Sequence, residues 1–467
     1  MTLGTIDIIG IILYFSVLGI FAYFTRRTKS FSEFSIAKHS VPAAMIFASI
    51  AATYVGPGFA VGMTSKGYSA GYAFYFFTFA YVLQTIIVGL FIAPRLTEKF
   101  RDCYTLGDVM EKCYGKFAHL LAGIVSVGLC IGFSGIMAKI GGSMLQAITG
   151  WDLMLCIVII TFMTGLYTMT GGIRASIATD ALQFGLFSII IPVMLILAFI
   201  KMPESADVVM TNAKELTANS FKSFTILQII AIVISFLLGE TLIPPYANRA
   251  LASKSTIDSK KGFSFAGAFG VIWLAIVITL GIIGHSFVPE GTKPDDVFLV
   301  IGSILMPPGA FGLLLASLIA IVMSSQDSVI NAGSVSIVRD IIGFRKQPSE
   351  KSSLFLGRAG TVLIVVIATV VARYAPSIID GLLICYSIWA PALLLPLILG
   401  LFLKRTVHLA GWLSMLGGGI TSILWQTVWN EPEGIPAIIA GLLIGGMTYF
   451  IGYMLGSRKT TLSGGAK

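Results

Sequence analysis

The sequence predicts an all-α polytopic membrane protein, two inverted five-helix repeats among about 13 transmembrane helices. Three observations predict it. Only 11% of the 467 residues are charged and 56% are hydrophobic, whereas soluble domains carry about 25% charge. Apolar runs of about 20 residues, the length that crosses a bilayer, recur along the whole chain. Two of these runs are broken by glycine and proline, and they lie five spans apart.

The elements follow in order. The first apolar run, Thr5 to Tyr23, has no basic residue before it and RRTK after it. A signal peptide has the reverse arrangement, so this run reads as a span whose N-terminus starts outside. Spans are expected near 5–25, 41–62, 71–94, 117–148, 152–170, 176–200, 223–248, 262–288, 309–338, 354–375, 378–403, 408–428 and 434–456. With that start, cytoplasmic segments hold 24 of the 31 Lys and Arg. External segments hold Lys66, Lys201, Lys214, Lys222, Lys293 and Arg373, and Lys139 falls inside a span. The bias of basic residues to the inside sets the orientation: N-terminus outside, C-terminus cytoplasmic, in a cell membrane. The same bias accounts for the net charge of +9 without a nucleic-acid partner; the lipid bilayer is the expected surrounding. The five cysteines form no paired extracellular framework, so no disulfide is expected. No loop is long enough for a soluble domain. The chain reads as one membrane domain: a peripheral span and loop (1–40), a first repeat (41–222), a second repeat (223–403) and peripheral C-terminal spans with a tail (404–467).

The breaks carry the most information. The second span reads SIAATYVGPGFAVG, interrupted by Gly56, Pro57 and Gly58. The seventh reads SFLLGETLIPPYANR, with Gly239, Glu240, Pro244 and Pro245. Proline removes a backbone donor and frees a carbonyl one turn back. Freed groups are tolerated at membrane depth only where protein, water or ligand satisfies them. A simple kink explains either break alone. Five is odd, however, so spans 2–6 and 7–11 run in opposite orientations. Matching interruptions in two inverted halves point to the binding site of a secondary transporter, the LeuT-type architecture.

A third feature lies in the ninth span. SSQDSVINAG places Ser324, Asp327, Ser328 and Asn331 on one helix face, with Ser325 beside them. Hydroxyls and carboxylates are hard oxygen donors suited to a small hard cation. Serines that bond their own helix, with Asn331 joining two helices, are the structural alternative.

MSSQDSVINAGSVSIVRDI (323–341), TGGIRASIATDALQ (170–183), PPYANRALASKS (244–255) and YTLGDVMEKCYGK (104–116) together resemble the sodium:solute symporter family. The resemblance implies a sodium-coupled symporter for a small organic solute, with Na+ as the coupling ion. It implies one sodium held by the carbonyls of Ala52, Val55 and Ile321 and the hydroxyls of Ser324 and Ser325. It also implies a second cation near Asp180, Ser324, Asp327 and Ser328. Members that take sialic acid carry serine where this chain has Asp327. That carboxylate strengthens a cation site, holds a proton, or pairs with Asn331 or Lys139.

Phe59, Thr78, Lys139, Phe236, Glu240, Tyr246 and Trp389 are candidates to line the solute path, with Tyr54, Tyr72, Tyr75 and Tyr386 as further walls. Glu240 and Lys139 pair with each other or with Asp327, or else meet a charged solute. A zwitterion such as an amino acid or betaine fits an acidic side chain at one end and half-helix N-termini at the other. A monocarboxylate, another neutral solute or proton coupling are the alternatives. Sugar is disfavoured, because Ile243 and Pro244 stand where the family's sugar-transporting members carry asparagine and glutamine. An enzyme is disfavoured as well: HExxH and CxxC are missing, and the four histidines are scattered. No repeated pore loop or ring of charge supports a channel.

Overall fold

A computed structural model describes residues 4–25, 28–56, 58–375, 378–432 and 435–463. Pro57 lies outside the described residues. The principal helices are α1 (Thr5–Thr25), α2 (Ala43–Tyr54), α3 (Gly58–Ala70), α4 (Ala73–Lys99), α5 (Leu106–Tyr114), α6 (Lys116–Thr149) and α7 (Leu153–Lys201). They continue with α8 (Ile226–Leu238), α9 (Pro244–Ala252), α10 (Thr256–Gly284), α11 (Ala310–Phe344), α12 (Glu350–Tyr374), α13 (Gly381–Phe402), α14 (His408–Thr427) and α15 (Ala437–Gly456). Caps fix several of the starts: the Asp152 carboxylate accepts the amides of Met154 and Leu155 at 2.9 and 3.1 Å, and Thr225 and Gln228 form a capping box.

Among the described residues, eight helices are long and apolar enough to cross a membrane, or ten if two bent pairs, α2 with α3 and the helix Ala206–Ser223 with α8, each count as one crossing. The expectation was about 13, and the difference has physical causes. Two expected spans, 152–170 and 176–200, are the two arms of α7, which turns at Gly172 (φ 57°, ψ −148°). A Cβ there would sit 2.5 Å from the Phe34 carbonyl oxygen, so only glycine fits the turn. The expected 223–248 span is divided into α8 and α9, neither long enough alone. The apolar stretch of α1, Thr5–Phe21, is short, and the apolar character of α14 is diluted by glycine and serine.

Helix α11 is the centre of the bundle. Of its apolar window 94% is buried, against 28% for α12. It packs against α6, α7, α1 and α2. Asp7 of α1 fastens its start: one carboxylate oxygen accepts the amides of Gly309 and Gly312, each at 2.8 Å. The two broken stretches, α2–α3 and α8–α9, meet where α2 begins and α9 ends. Val41, just before α2, exchanges hydrogen bonds with the end of α9, donating to the Ala252 carbonyl (3.1 Å) and accepting the Lys254 amide (2.8 Å). The start of one broken pair therefore touches the end of the other, as inversion requires.

Candidate functional site

Both breaks open toward α11. In the first, α2 and α3 meet at 61°. The Gly56 amide turns to the Thr53 carbonyl (3.2 Å), and the Phe59 amide to the Gly56 carbonyl (2.8 Å). The carbonyls of Ala52 and Val55 thereby lose the amides that a continuous helix would give them. Proline at position 57 has no amide hydrogen to offer Thr53, whose carbonyl instead also accepts the Ser325 hydroxyl at 3.3 Å. Ser325 of α11 thus reaches into the break.

In the second, the chain leaves helix at Gly239 and re-enters at Pro244. Leu242 adopts a left-handed conformation (φ 51°), a strained choice for a branched side chain. Paired prolines restart α9, where a missing amide costs nothing. Glu240, 4% exposed, hangs in the gap. Its two oxygens accept the hydroxyls of Tyr246 and Tyr386, each at 2.8 Å. Gly239 has its own constraint, since a Cβ there would lie 2.6 Å from the Tyr386 Cβ. The Trp389 indole donates to the Thr241 carbonyl at 3.5 Å and so braces the gap from behind.

Between the breaks lies a cavity lined by Thr53, Tyr54, Phe59, Tyr81, Phe133, Met137, Glu240, Ser325, Leu382 and Tyr386. It leaves about 20 Å³ for the centres of water molecules, room for about one water. Phe59, Leu382 and Tyr386 also border a second small void that reaches Phe236. Phe236 in turn borders an open recess with Lys66, Gln228 and Gln426. Aromatic and leucine side chains thus separate the cavity from that recess.

On the side of Val41 and Ser253 the closure is polar. Arg249 of α9, 1% exposed, forms an ion pair with Asp180 at 2.8 Å. Its Nη2 also donates to Ser328 and to Ser176 (3.3 Å), its Nε to Ser49 (2.6 Å) and its Nη1 to the Pro245 carbonyl (3.1 Å). Ser324 and Ser49 both donate to Asp180, Ser324 at 2.5 Å. Asp327 accepts the hydroxyls of Ser176 (2.7 Å) and Tyr167 (2.8 Å).

The expected residues therefore fall into three places. Ala52, Val55 and Ser325 meet at the first break, with Ile321 one turn before Ser325 on α11. Ser324 turns to Asp180, and Asp327 and Ser328 join that group. Phe59, Glu240, Tyr54 and Tyr386 line the cavity, and Tyr246 holds Glu240. Others stand apart. The Thr78 hydroxyl donates to the carbonyl of Phe74 at 2.5 Å, Phe236 lies one layer outward, and Tyr72 and Tyr75 line a separate groove with Thr217. The buried charges take other partners. The Lys139 ammonium donates to the Ala375 carbonyl. The Asn331 amide donates to the Phe34 carbonyl at 3.2 Å. Arg249, Tyr81, Ser49, Ser176 and Tyr167 were not anticipated. Arg249 lies within the PPYANR motif, but counted as a loop charge beyond the end of a span.

Comparison with known proteins agrees with this geometry. The model described as "Sodium:solute symporter family" matches residues 34–418. The high-affinity proline transporter PutP of Bacillus subtilis (strain 168) is 27% identical over 455 residues, covering 91% of this chain and 93% of its own. Sodium/glucose cotransporter 1 of Oryctolagus cuniculus is 24% identical over 516 residues, covering 93% of this chain and 75% of its own. The solved substrate-bound, outward-open state of a Na+-coupled sialic acid symporter superposes with a TM-score of 0.82 at 20% identity, over 98% of each chain. That likeness gives the fold, the LeuT-type arrangement of inverted repeats. The relatives are transporters rather than enzymes, and the family match covers most of the chain. This multi-pass membrane protein belongs to the sodium:solute symporter family.

Proposed function

We propose that the protein imports a zwitterionic solute, an amino acid or a betaine-like molecule, together with sodium by alternating access. Glu240 is the observation that carries this reading. A carboxylate buried at a helix break and lining the central cavity is held by two phenols and faces the space a ligand ammonium would occupy. The N-terminus of α9 offers the opposite polarity for a carboxylate. The aromatic rings of Tyr54, Phe59 and Tyr81 stack with centroids 4.1 to 6.1 Å apart and give the apolar part of the solute a wall. A proline-transporting relative is consistent with this class.

The coupling sodium is assigned to the first break, between the carbonyls of Ala52, Val55 and Ile321 and the hydroxyls of Ser324 and Ser325. Two carbonyls deprived of helical donors, with Ser325 donating to the Thr53 carbonyl between them, support that assignment. In this reading the repeats 41–222 and 223–403 rock about the site. The N-terminus is outside, so the recess near Lys66 faces outward and the Arg249 group faces the cytoplasm.

Competition tests the substrate class. In proteoliposomes with an inward sodium gradient, uptake of labelled proline is expected to be blocked by zwitterionic amines and spared by pyruvate. Glu240→Gln is expected to weaken apparent solute affinity on the order of tenfold, the scale of one charge-assisted hydrogen bond, while the sodium requirement shifts less. Competition by pyruvate without competition by amines would replace this reading with a monocarboxylate carrier.

A further inference from the structure

Another buried polar group lies outside the site described above, where α5 and α6 meet the end of α11. His119 of α6 is 2% exposed, and both of its ring nitrogens face carboxylates. Nδ1 lies 2.5 Å from Glu111 of α5, and Nε2 lies 3.0 Å from Asp340 of α11. Asp340 is fully buried. It also accepts the Thr105 hydroxyl at 2.5 Å, and its second oxygen finds no donor among the described residues. The fit is close: a Cβ on Gly107 would lie 2.5 Å from an Asp340 oxygen, and one on Gly123 would lie 2.3 Å from the Asp340 Cβ. Asp340 sits in a π-helical turn, Ile337–Ile341, a winding that is rare in helices and frequent at functional sites. We infer that His119 is a proton-operated latch, tying the end of α11 to α5 and α6 and letting go when its proton is lost.

Donor counting carries the inference. A neutral imidazole has one N–H and can donate to only one of two carboxylates. Both contacts form together in two ways: an imidazolium between two carboxylates, or a neutral ring between one carboxylate and one carboxylic acid. The two arrangements hold the same number of protons. Losing that proton turns a ring lone pair toward a carboxylate, and the contact to α5 or to α11 opens. The other charged groups nearby are engaged elsewhere. Asp108 of α5, 4.0 Å from Nε2, accepts Nη2 of Arg339 at 3.2 Å on each oxygen and the Tyr104 amide at 2.8 Å. Lys112 pairs with Asp102. On α14, His408 lies against Gly115. On α12, Glu350 accepts the Phe31 amide at 2.8 Å and Arg358 donates to the Thr28 carbonyl at 3.3 Å. The proton reaches water through Glu111, whose side chain is 37% exposed. In the topology proposed above this face is cytoplasmic, so the latch reads cytoplasmic pH. It holds the same helix that carries Ser324 and Ser325, and pH thereby bears on the helix that reaches into the first break.

Hydrogen–deuterium exchange of residues 337–344 in the purified full-length protein, without solute or sodium, tests the latch. Exchange is measured at about pH 5.5 and about pH 9, either side of the ordinary histidine pKa of about 6.5. Each value is compared with His119→Gln at the same pH, which cancels the intrinsic effect of pH on exchange. At the lower pH the parent is expected to exchange more slowly than the variant, on the order of tenfold, the scale of one hydrogen bond to a charged group. At the higher pH the two are expected to converge. Equal exchange at both pH values, or the same difference at both, would overturn the latch. Glu111→Gln is a second test at a half-buried position. Its amide can donate to Nδ1 of the neutral ring, leaving the Nε2 hydrogen on Asp340, so protection is expected to persist at about pH 9. A Glu111→Gln variant that loosens with pH as the parent does contradicts the donor count, and this comparison decides the matter even where His119→Gln fails to fold. Uptake plays no part in the measurement, so its outcome is independent of the sodium-coupled reading.

Discussion

Ser324 and Ser325 are adjacent, yet their hydroxyls serve different neighbours. Ser325 donates to the Thr53 carbonyl in the first break, and Ser324 donates to Asp180. A sodium held by both would join the break to the buried ion-pair group. Replacing both with alanine removes two of five proposed ligand oxygens. The sodium concentration for half-maximal uptake should rise by about tenfold or more, at about 1–3 kcal/mol per lost polar contact. Unchanged sodium dependence in the double variant would remove these residues from the site. Gly239 is the other informative residue. Gly239→Ala should push Tyr386 away from Glu240, because the added methyl would lie 2.6 Å from the Tyr386 Cβ. Apparent solute affinity should fall while sodium affinity changes little, as read from separate titrations of uptake. Glu240 and Ser325 were legible in the sequence because glycine and proline mark breaks, and because polar residues in an apolar helix need a reason. The roles of Tyr81, Ser49 and Ser176 were not legible. Aromatics and serines are common in membrane helices, and nothing local separates a wall or relay from packing.

At the scale of helices, the order and the two breaks were readable from hydropathy and proline placement, while the spans were harder to count. The 49-residue α7 turns on one glycine whose necessity comes from Phe34, more than a hundred residues earlier. The burial of Arg249 has the same origin. Its surroundings are assembled from α2, α7 and α11, and no window of sequence contains them. The contact between α1 and α11 is likewise long-range. Asp7 caps the start of α11 with two amide hydrogen bonds of 2.8 Å. Asp7→Ala should destabilise the protein by about 1 kcal/mol, the usual cost of losing a cap. The measurement is a lowered thermal midpoint of purified protein, with solute affinity retained. A variant as stable as the parent would show that α11 does not depend on α1.

The whole molecule is closed in two different ways around one small cavity. Toward the recess near Lys66 the separation is apolar, made by Phe59, Leu382, Tyr386 and Phe236. Toward the ends of α2 and α9 it is an ion pair with its hydroxyl partners. In the proposed reading, opening the second side would require Arg249 to leave Asp180, and a sodium beside Ser324 would bear on the same carboxylate. Ion and gate would then share a residue, which is how a bound cation can bias a two-state bundle. The most direct test is accumulation of labelled proline in proteoliposomes under an imposed inward sodium gradient, compared with potassium and with a proton gradient alone. Sodium-coupled symport at this site predicts uptake above equilibrium with sodium, abolished by collapse of the gradient. Accumulation driven equally well by a proton gradient in sodium-free buffer would contradict it.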